Sequence, residues 1–91
     1  MHQVVWTEEA VSHLEAIVAY VEAFDLAAAR RLGKKLIAVA DSLAEFSERG
    51  RPAGENLREM TTVWPYILRY RVEDDLVIIL RIRHGARAEE D

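Results

Sequence analysis

The chain has 91 residues, 51% of them hydrophobic and 31% charged, with a formal net charge of −4 and no cysteine. That length and balance describe one globular domain with a limited core. They exclude a disulfide scaffold, a thiolate metal site and a cysteine nucleophile, and the acidic balance argues against a protein that coats nucleic acid by bulk charge.

Val4, Val5 and Trp6 are β-branched and aromatic, and they predict a short first strand. Thr7 is a favourable N-cap, with Glu8 and Glu9 in the first turn where the helix dipole favours anions. Val11, Leu14, Val18 and Val21 recur at helical spacing, widened by Ala10 and Ile17, so this helix runs to about Phe24. Asp25 caps a second helix with the stripe Ala29, Leu32, Leu36, Val39, Leu43 and Phe46. Arg30, Arg31, Lys34 and Lys35 occupy its other side. So short a break makes the two helices an antiparallel hairpin. Gly33 costs about 1 kcal/mol inside a helix relative to Ala, which predicts a close approach of the first helix there.

Residues 47–54, SERGRPAG, read as a loop, because Gly50 suits a helix C-terminus and Pro52 blocks continuation. From Asn56 the period changes to two. Leu57, Glu59 and Thr61 alternate with Arg58, Met60 and Thr62 as a weak strand. Tyr66, Leu68, Tyr70 and Val72 alternate with Ile67, Arg69 and Arg71 as a strong one. Glu73, Asp74 and Asp75 form a turn. Leu76, Ile78, Leu80 and Ile82 then alternate with Val77, Ile79, Arg81 and Arg83. The order is β-α-α-β-β-β, an α+β domain spanning residues 1–91, with the helix hairpin packed on one face of an antiparallel sheet.

Parity then divides the sheet. If Tyr66, Leu68, Tyr70, Val72, Leu76, Ile78, Leu80 and Ile82 lie under the helices, the open face carries Ile67, Arg69, Arg71, Val77, Ile79, Arg81 and Arg83. An aliphatic centre with an arginine border suits a docking surface for an acidic or extended partner. Tyr20, Phe24 and Leu26, near the tip of the helix hairpin, offer a second docking option. Arg81, Arg83 and Arg87 flank His84 and Gly85. Guanidinium forks for a phosphate and an imidazole for proton transfer are parts of an RNA-cleaving site, and equally of a capped strand end. His2, His13 and His84 are not paired at metal-ligand spacing, and no phosphate-binding loop or catalytic triad signature appears, so neither a metal nor a cofactor is expected. No segment reads as a targeting peptide or reaches the roughly 18 apolar residues of a membrane span. With the lack of cysteine, this suits the cytoplasm.

Trp6 with the capped helix start, the Ala/Leu-rich helix pair, and the segments GRPAGENLREM, PYILRYRV and RIRHGAR resemble the RelE/ParE superfamily over essentially the whole chain. The PYILRYRV strand and HGAR ending look most like its ParE, or plasmid-stabilisation, branch. The resemblance implies the toxin of a type II toxin–antitoxin module, held in a hetero-oligomer by a cognate, ParD-like antitoxin. ParE-type members are associated with poisoning DNA gyrase, whereas RelE-type members cut messenger RNA on the ribosome. The nuclease pattern commonly carries an arginine directly after the aromatic that opens the central strand. This chain has Ile67 there, and no lysine after Lys35. Glu55, His84 and Arg87 lie roughly where nuclease members carry an acid/base pair and a basic group, so a ribosome-dependent endoribonuclease stands as the alternative to a non-enzymatic gyrase poison. A degenerate toxin that only binds, or one with a different target, is a further reading. The residues expected to meet antitoxin or target are Arg58, Ile67, Arg69, Arg71, Val77, Ile79, Arg81, Arg83 and Arg87.

Overall fold

The structure, a computed structural model, describes residues 1–85. Arg87 and the acidic residues Glu89, Glu90 and Asp91 therefore lie outside the described residues. Seven elements follow in the order β1 (Gln3–Trp6), α1 (Glu8–Glu22), α2 (Leu26–Ser42), β2 (Arg51–Gly54), β3 (Leu57–Met60), β4 (Tyr66–Glu73) and β5 (Leu76–His84).

The helix hairpin forms where the caps place it. Thr7 accepts from the Ala10 amide at 3.1 Å, and Asp25 Oδ1 accepts from the Ala28 amide at 3.0 Å. Each satisfies one orphan donor of a first turn. Gly33 is less crowded than its cost suggests. A methyl there would meet Val18 Cγ2 at 3.4 Å, an ordinary contact.

The sheet has five strands in the order β1-β5-β4-β3-β2. It is mixed rather than antiparallel, because β1 pairs in parallel with β5, Gln3 against Leu76 through Trp6 against Ile79. The strand β2 lies within residues 47–54, which the sequence pattern reads as a loop. Gly50, Pro52 and Gly54 are turn formers, but an edge strand accepts proline and glycine because one side needs no partner.

The core lies between the helices and one sheet face. Ala10, Leu36, Ala40 and Leu43 meet Met60, Leu68, Tyr70, Val77, Ile79 and Ile82. This corrects the parity of β5. Val77 and Ile79, expected on the open face, are buried at 0% exposure, and Ile78 faces the other way beside Arg71. The cause is a bulge. Arg69 pairs with Arg81 but the next residue, Tyr70, pairs with Ile79, so Leu80 is an extra residue and the alternation inverts across it. No uninterrupted period-two count survives such an insertion.

The first helix pins this bulge. The Thr7 hydroxyl donates toward the carbonyls of Ile79 at 2.9 Å and Leu80 at 3.2 Å. The strand β1 covers β5 only as far as Ile79. Beyond it, His13 Nδ1 accepts the Ile82 amide at 3.1 Å, replacing a missing strand neighbour. His13, not expected to bind a metal, thus has a structural task. Thr7→Val removes the cap and the bulge contact together and is expected to lower stability by about 1–2 kcal/mol in urea unfolding. A loss no larger than a few tenths would show that neither bond matters. Among the described residues no helix is long and apolar enough to cross a membrane.

Candidate functional site: an arginine-ringed carboxylate on the open sheet face

The face turned from the helices carries one cross-strand row, in which Arg51 of β2 pairs with Glu59 of β3, Glu59 with Arg69 of β4, and Arg69 with Arg81 of β5. Arg83 lies opposite Ile67 on the same face. Glu59 is the hub. Its side chain is 5% exposed, yet Arg69 Nη2 and Nε donate to Oε2 at 2.8 and 3.0 Å, and Arg51 Nη2 donates to Oε1 at 3.2 Å. Arg83 Nη2 adds a longer contact to Oε2 at 3.5 Å. Burial pushes the Glu59 carboxyl upward, but hydrogen bonds from Arg69 and Arg51 and the charges of Arg69 and Arg83 outweigh it, and hold the carboxyl below its ordinary range. Three guanidiniums around one carboxylate leave local positive charge on an acidic protein.

The rest of the face is aliphatic or paired. Arg71 lies between Leu57 and Ile78 in the neighbouring strands, and its Nε sits 3.0 Å from Glu73 Oε2. Arg81 reaches Glu9 of α1 at 3.4 Å, and Glu9 lies 3.7 Å from His13 Nε2. At the opposite end, Ile67 is only 3% exposed. A methyl added at Gly85 would meet Ile67 Cδ1 at 2.9 Å and the Trp64 ring at 3.0 Å, so these three residues are closely packed. The exposed anchor at this end is therefore Trp64, 63% exposed, rather than Ile67.

Some expected site residues do not meet. Arg58 pairs with Tyr70 and so lies on the helix side, where its Nη1 donates to the carbonyls of Gly50 at 2.7 Å and Glu48 at 3.2 Å. It pins a loop. Val77 and Ile79 are core. His84 pairs with Tyr66, their rings edge-on at 5.4 Å, on the face opposite Glu59 and Arg83. Glu55 sits in the β2–β3 turn, whose Asn56 carbonyl accepts from the Val72 amide at the far end of β4. Six residues of strand, about 20 Å, separate that end from the one His84 faces, so Glu55 and His84 are not an acid/base pair. Sequence reasoning missed Glu59, Arg51 and Trp64. Only the position of Glu59 in phase with Leu57 and Thr61, on a strand beside Arg69, pointed to the first. Among the described residues no group of three or more His, Asp or Glu side chains is placed to hold a metal ion.

Comparison with known proteins accords with this architecture. Residues 4–89 match the family described as the ParE toxin of the type II toxin–antitoxin system parDE. The chain is 53% identical to "Toxin RelE2" of Caulobacter vibrioides, over 96% of this chain and 99% of that one. It is 38% identical to "Putative toxin Y4kP" of Sinorhizobium fredii, over 88% and 84% respectively. The solved structure titled "Chromosomal ParDE TA system from P. aeruginosa" superposes with a TM-score of 0.82 at 25% identity, covering 92% of this chain and 96% of that one. With the helix hairpin laid on one side of a mixed five-stranded sheet and an arginine-rich face left open on the other, the chain belongs to the ParE toxin family and is the toxin of a type II toxin–antitoxin system, with an antitoxin as its partner.

Proposed function

We propose that this toxin acts in the cytoplasm by poisoning DNA gyrase rather than by cutting messenger RNA, and that a ParD-like antitoxin neutralises it by covering the open sheet face. The observation that carries the first part is the state of Glu59. A general base works best with a pKa near the operating pH and a free lone pair aimed at its substrate. Glu59 has neither property, since arginines occupy both of its oxygens and hold it acidic. Its role is to order Arg51, Arg69 and Arg83. Glu55 and His84 lie too far apart to serve as the pair. A binding toxin needs only the surface.

The alternative is a ribosome-dependent endoribonuclease. Two facts favour it: the name RelE2 borne by the 53% identical relative, and three guanidiniums gathered on one face, which suit a phosphate. Supercoiling by purified gyrase, with and without the toxin, separates the two. Inhibition that added antitoxin relieves, with messages left intact in a translating extract, is the expected result. Unchanged supercoiling together with codon-specific cleavage would replace this reading with the nuclease.

For the antitoxin, an acidic amphipathic segment would pair with Arg69, Arg81 and Arg83 and bury Trp64 and Ile78. Arg81→Glu with Arg83→Glu is expected to weaken its binding more than tenfold, about 1.4 kcal/mol or more. Because Arg83→Glu sets a second carboxylate near Glu59, Arg81→Gln with Arg83→Gln is the companion variant, expected to weaken binding in the same direction. Unchanged affinity of both in a titration would remove this face from the interface.

A further inference from the structure

The charges of the two helices are segregated. The first helix carries Glu8, Glu9, Glu15 and Glu22 and no lysine or arginine, whereas the second carries Arg30, Arg31, Lys34 and Lys35 and a single acid, Asp41, in its last turn. Adjacent antiparallel helices with opposite charge are well placed to pair across their seam. These do not. All four cations are exposed, and none makes an ion pair or hydrogen bond with a described residue.

Helical geometry explains why. At roughly 100° per residue, Arg30, Arg31, Lys34 and Lys35 span an arc centred opposite the buried line of Ala29, Leu36 and Ala40. They point away from α1 as well as from the sheet. Exposed Ala27 and Ala38 lie on the same arc, as does Asp41 two turns beyond Lys34, so the arc carries four cations and one acid with only small side chains between the cations. The stripe lies outside the arginine-ringed sheet face, and the function proposed above does not use it.

We propose that the outer face of α2 binds duplex DNA along its phosphate backbone. Unpaired cations on a rigid helix are complementary to a line of phosphates. The arc carries no aromatic side chain, which argues against single strands, whose binding sites rely on stacking platforms. Tyr20 and Phe24 are exposed nearby, but they belong to α1 and its tip and stack edge-on with each other at 5.4 Å. Ile37 and Leu26 are exposed at the edge of the arc beside Arg30, but the centre of the arc, between the cations, has no large apolar anchor of the kind a protein interface needs there. A helix fits the wide major groove of B-form DNA and not the deep, narrow one of an RNA duplex. This face is independent of the gyrase reading, because free duplex is the probe.

Fluorescence anisotropy of a labelled 20-base-pair DNA duplex with the full chain tests it. Binding is expected at low salt, with log affinity falling against log salt at a slope of about −3 to −4, four phosphates neutralised. Changing Arg30, Arg31, Lys34 and Lys35 each to Gln, a good helix former, is expected to weaken binding more than tenfold with the melting temperature unchanged. Adding Glu8→Gln, Glu15→Gln and Glu22→Gln, which restores three of the four lost charges elsewhere, must not rescue it. Rescue would reduce the effect to net charge and overturn the proposal. So would absence of binding at low salt, unchanged affinity in the quadruple variant, or tighter binding of single strand, RNA duplex or an acidic peptide.

Discussion

Glu59→Gln is expected to lower the unfolding free energy by about 2–4 kcal/mol, since removing one partner of a buried charge pair strands the others. The variant keeps the shape of the side chain but leaves Arg69, Arg83 and Arg51 facing one another with no anion between them. The figure sits toward the low side for a buried pair because those arginines are partly exposed and water screens them. Acid titration gives a second, independent reading. The folded-state pKa of Glu59 lies below its ordinary 4.5, so its contribution is complete above that value and is lost as the pH falls through the lower one. The wild-type protein should therefore lose stability more steeply in acid than the Gln variant. Parallel pH profiles, or a loss below about 0.5 kcal/mol, would mean that the carboxylate does not hold the ring together. Arg69→Gln combined with Glu59→Gln should cost less than the sum of the two.

The largest single loss is expected at Tyr70, which is fully buried and also anchors a loop. Its hydroxyl donates to the Ser47 carbonyl at 2.8 Å and accepts from the Gly50 amide at 2.9 Å. Tyr70→Ala should cost about 3–5 kcal/mol, the cavity left by a large aromatic. Tyr70→Phe isolates the hydroxyl and should cost about 1–3 kcal/mol, because the buried Gly50 donor then has no partner. The same contact explains Gly50. A methyl there would lie 2.7 Å from the Tyr70 oxygen and 2.9 Å from the Glu59 carbonyl oxygen, and the latter is backbone that cannot step aside. Burial pushes the Tyr70 phenol above its ordinary 10.0, opposed by the Gly50 amide. Its contribution is thus intact below that pH and is lost as the pH rises through the folded-state value. Tyr70→Phe should flatten the alkaline limb of the stability profile. Chemical unfolding of the three proteins at neutral and alkaline pH measures all of this, and a Phe variant as stable as wild type would show the loop to be held by other means.

The helices and their caps were legible because Thr7, Asp25 and the apolar spacing act locally. The strand β4 was legible for the same reason, as its alternation runs unbroken. The inversion in β5 was hidden. Nothing in Leu80 or its neighbours marks it as the extra residue, and the bulge is fixed by Thr7, more than seventy positions away in the chain. The strand β2 was hidden because its residues are turn formers used at an edge. The arginine face was half visible. Arg69 and Arg83 followed from parity, but the carboxylate that binds them lies on a weak strand, and its register on Arg69 is a tertiary fact.

The parallel pairing of β1 with β5 has a consequence for the order in which the molecule can assemble. These two strands are joined only across everything between Trp6 and Leu76, so their docking carries the largest loop-closure cost in the sheet. On a growing polypeptide, the helix hairpin and the β3–β4 pair can form early, from close neighbours. Val4 and Trp6 must wait, unpartnered, until β5 has been made. Thr7 and His13 cannot clamp the bulge before that moment either. The arginine row is likewise incomplete until Arg81 and Arg83 arrive. The basic row is therefore completed only when β5 pairs with β4, and a copy halted before β5 lacks Arg81 and Arg83.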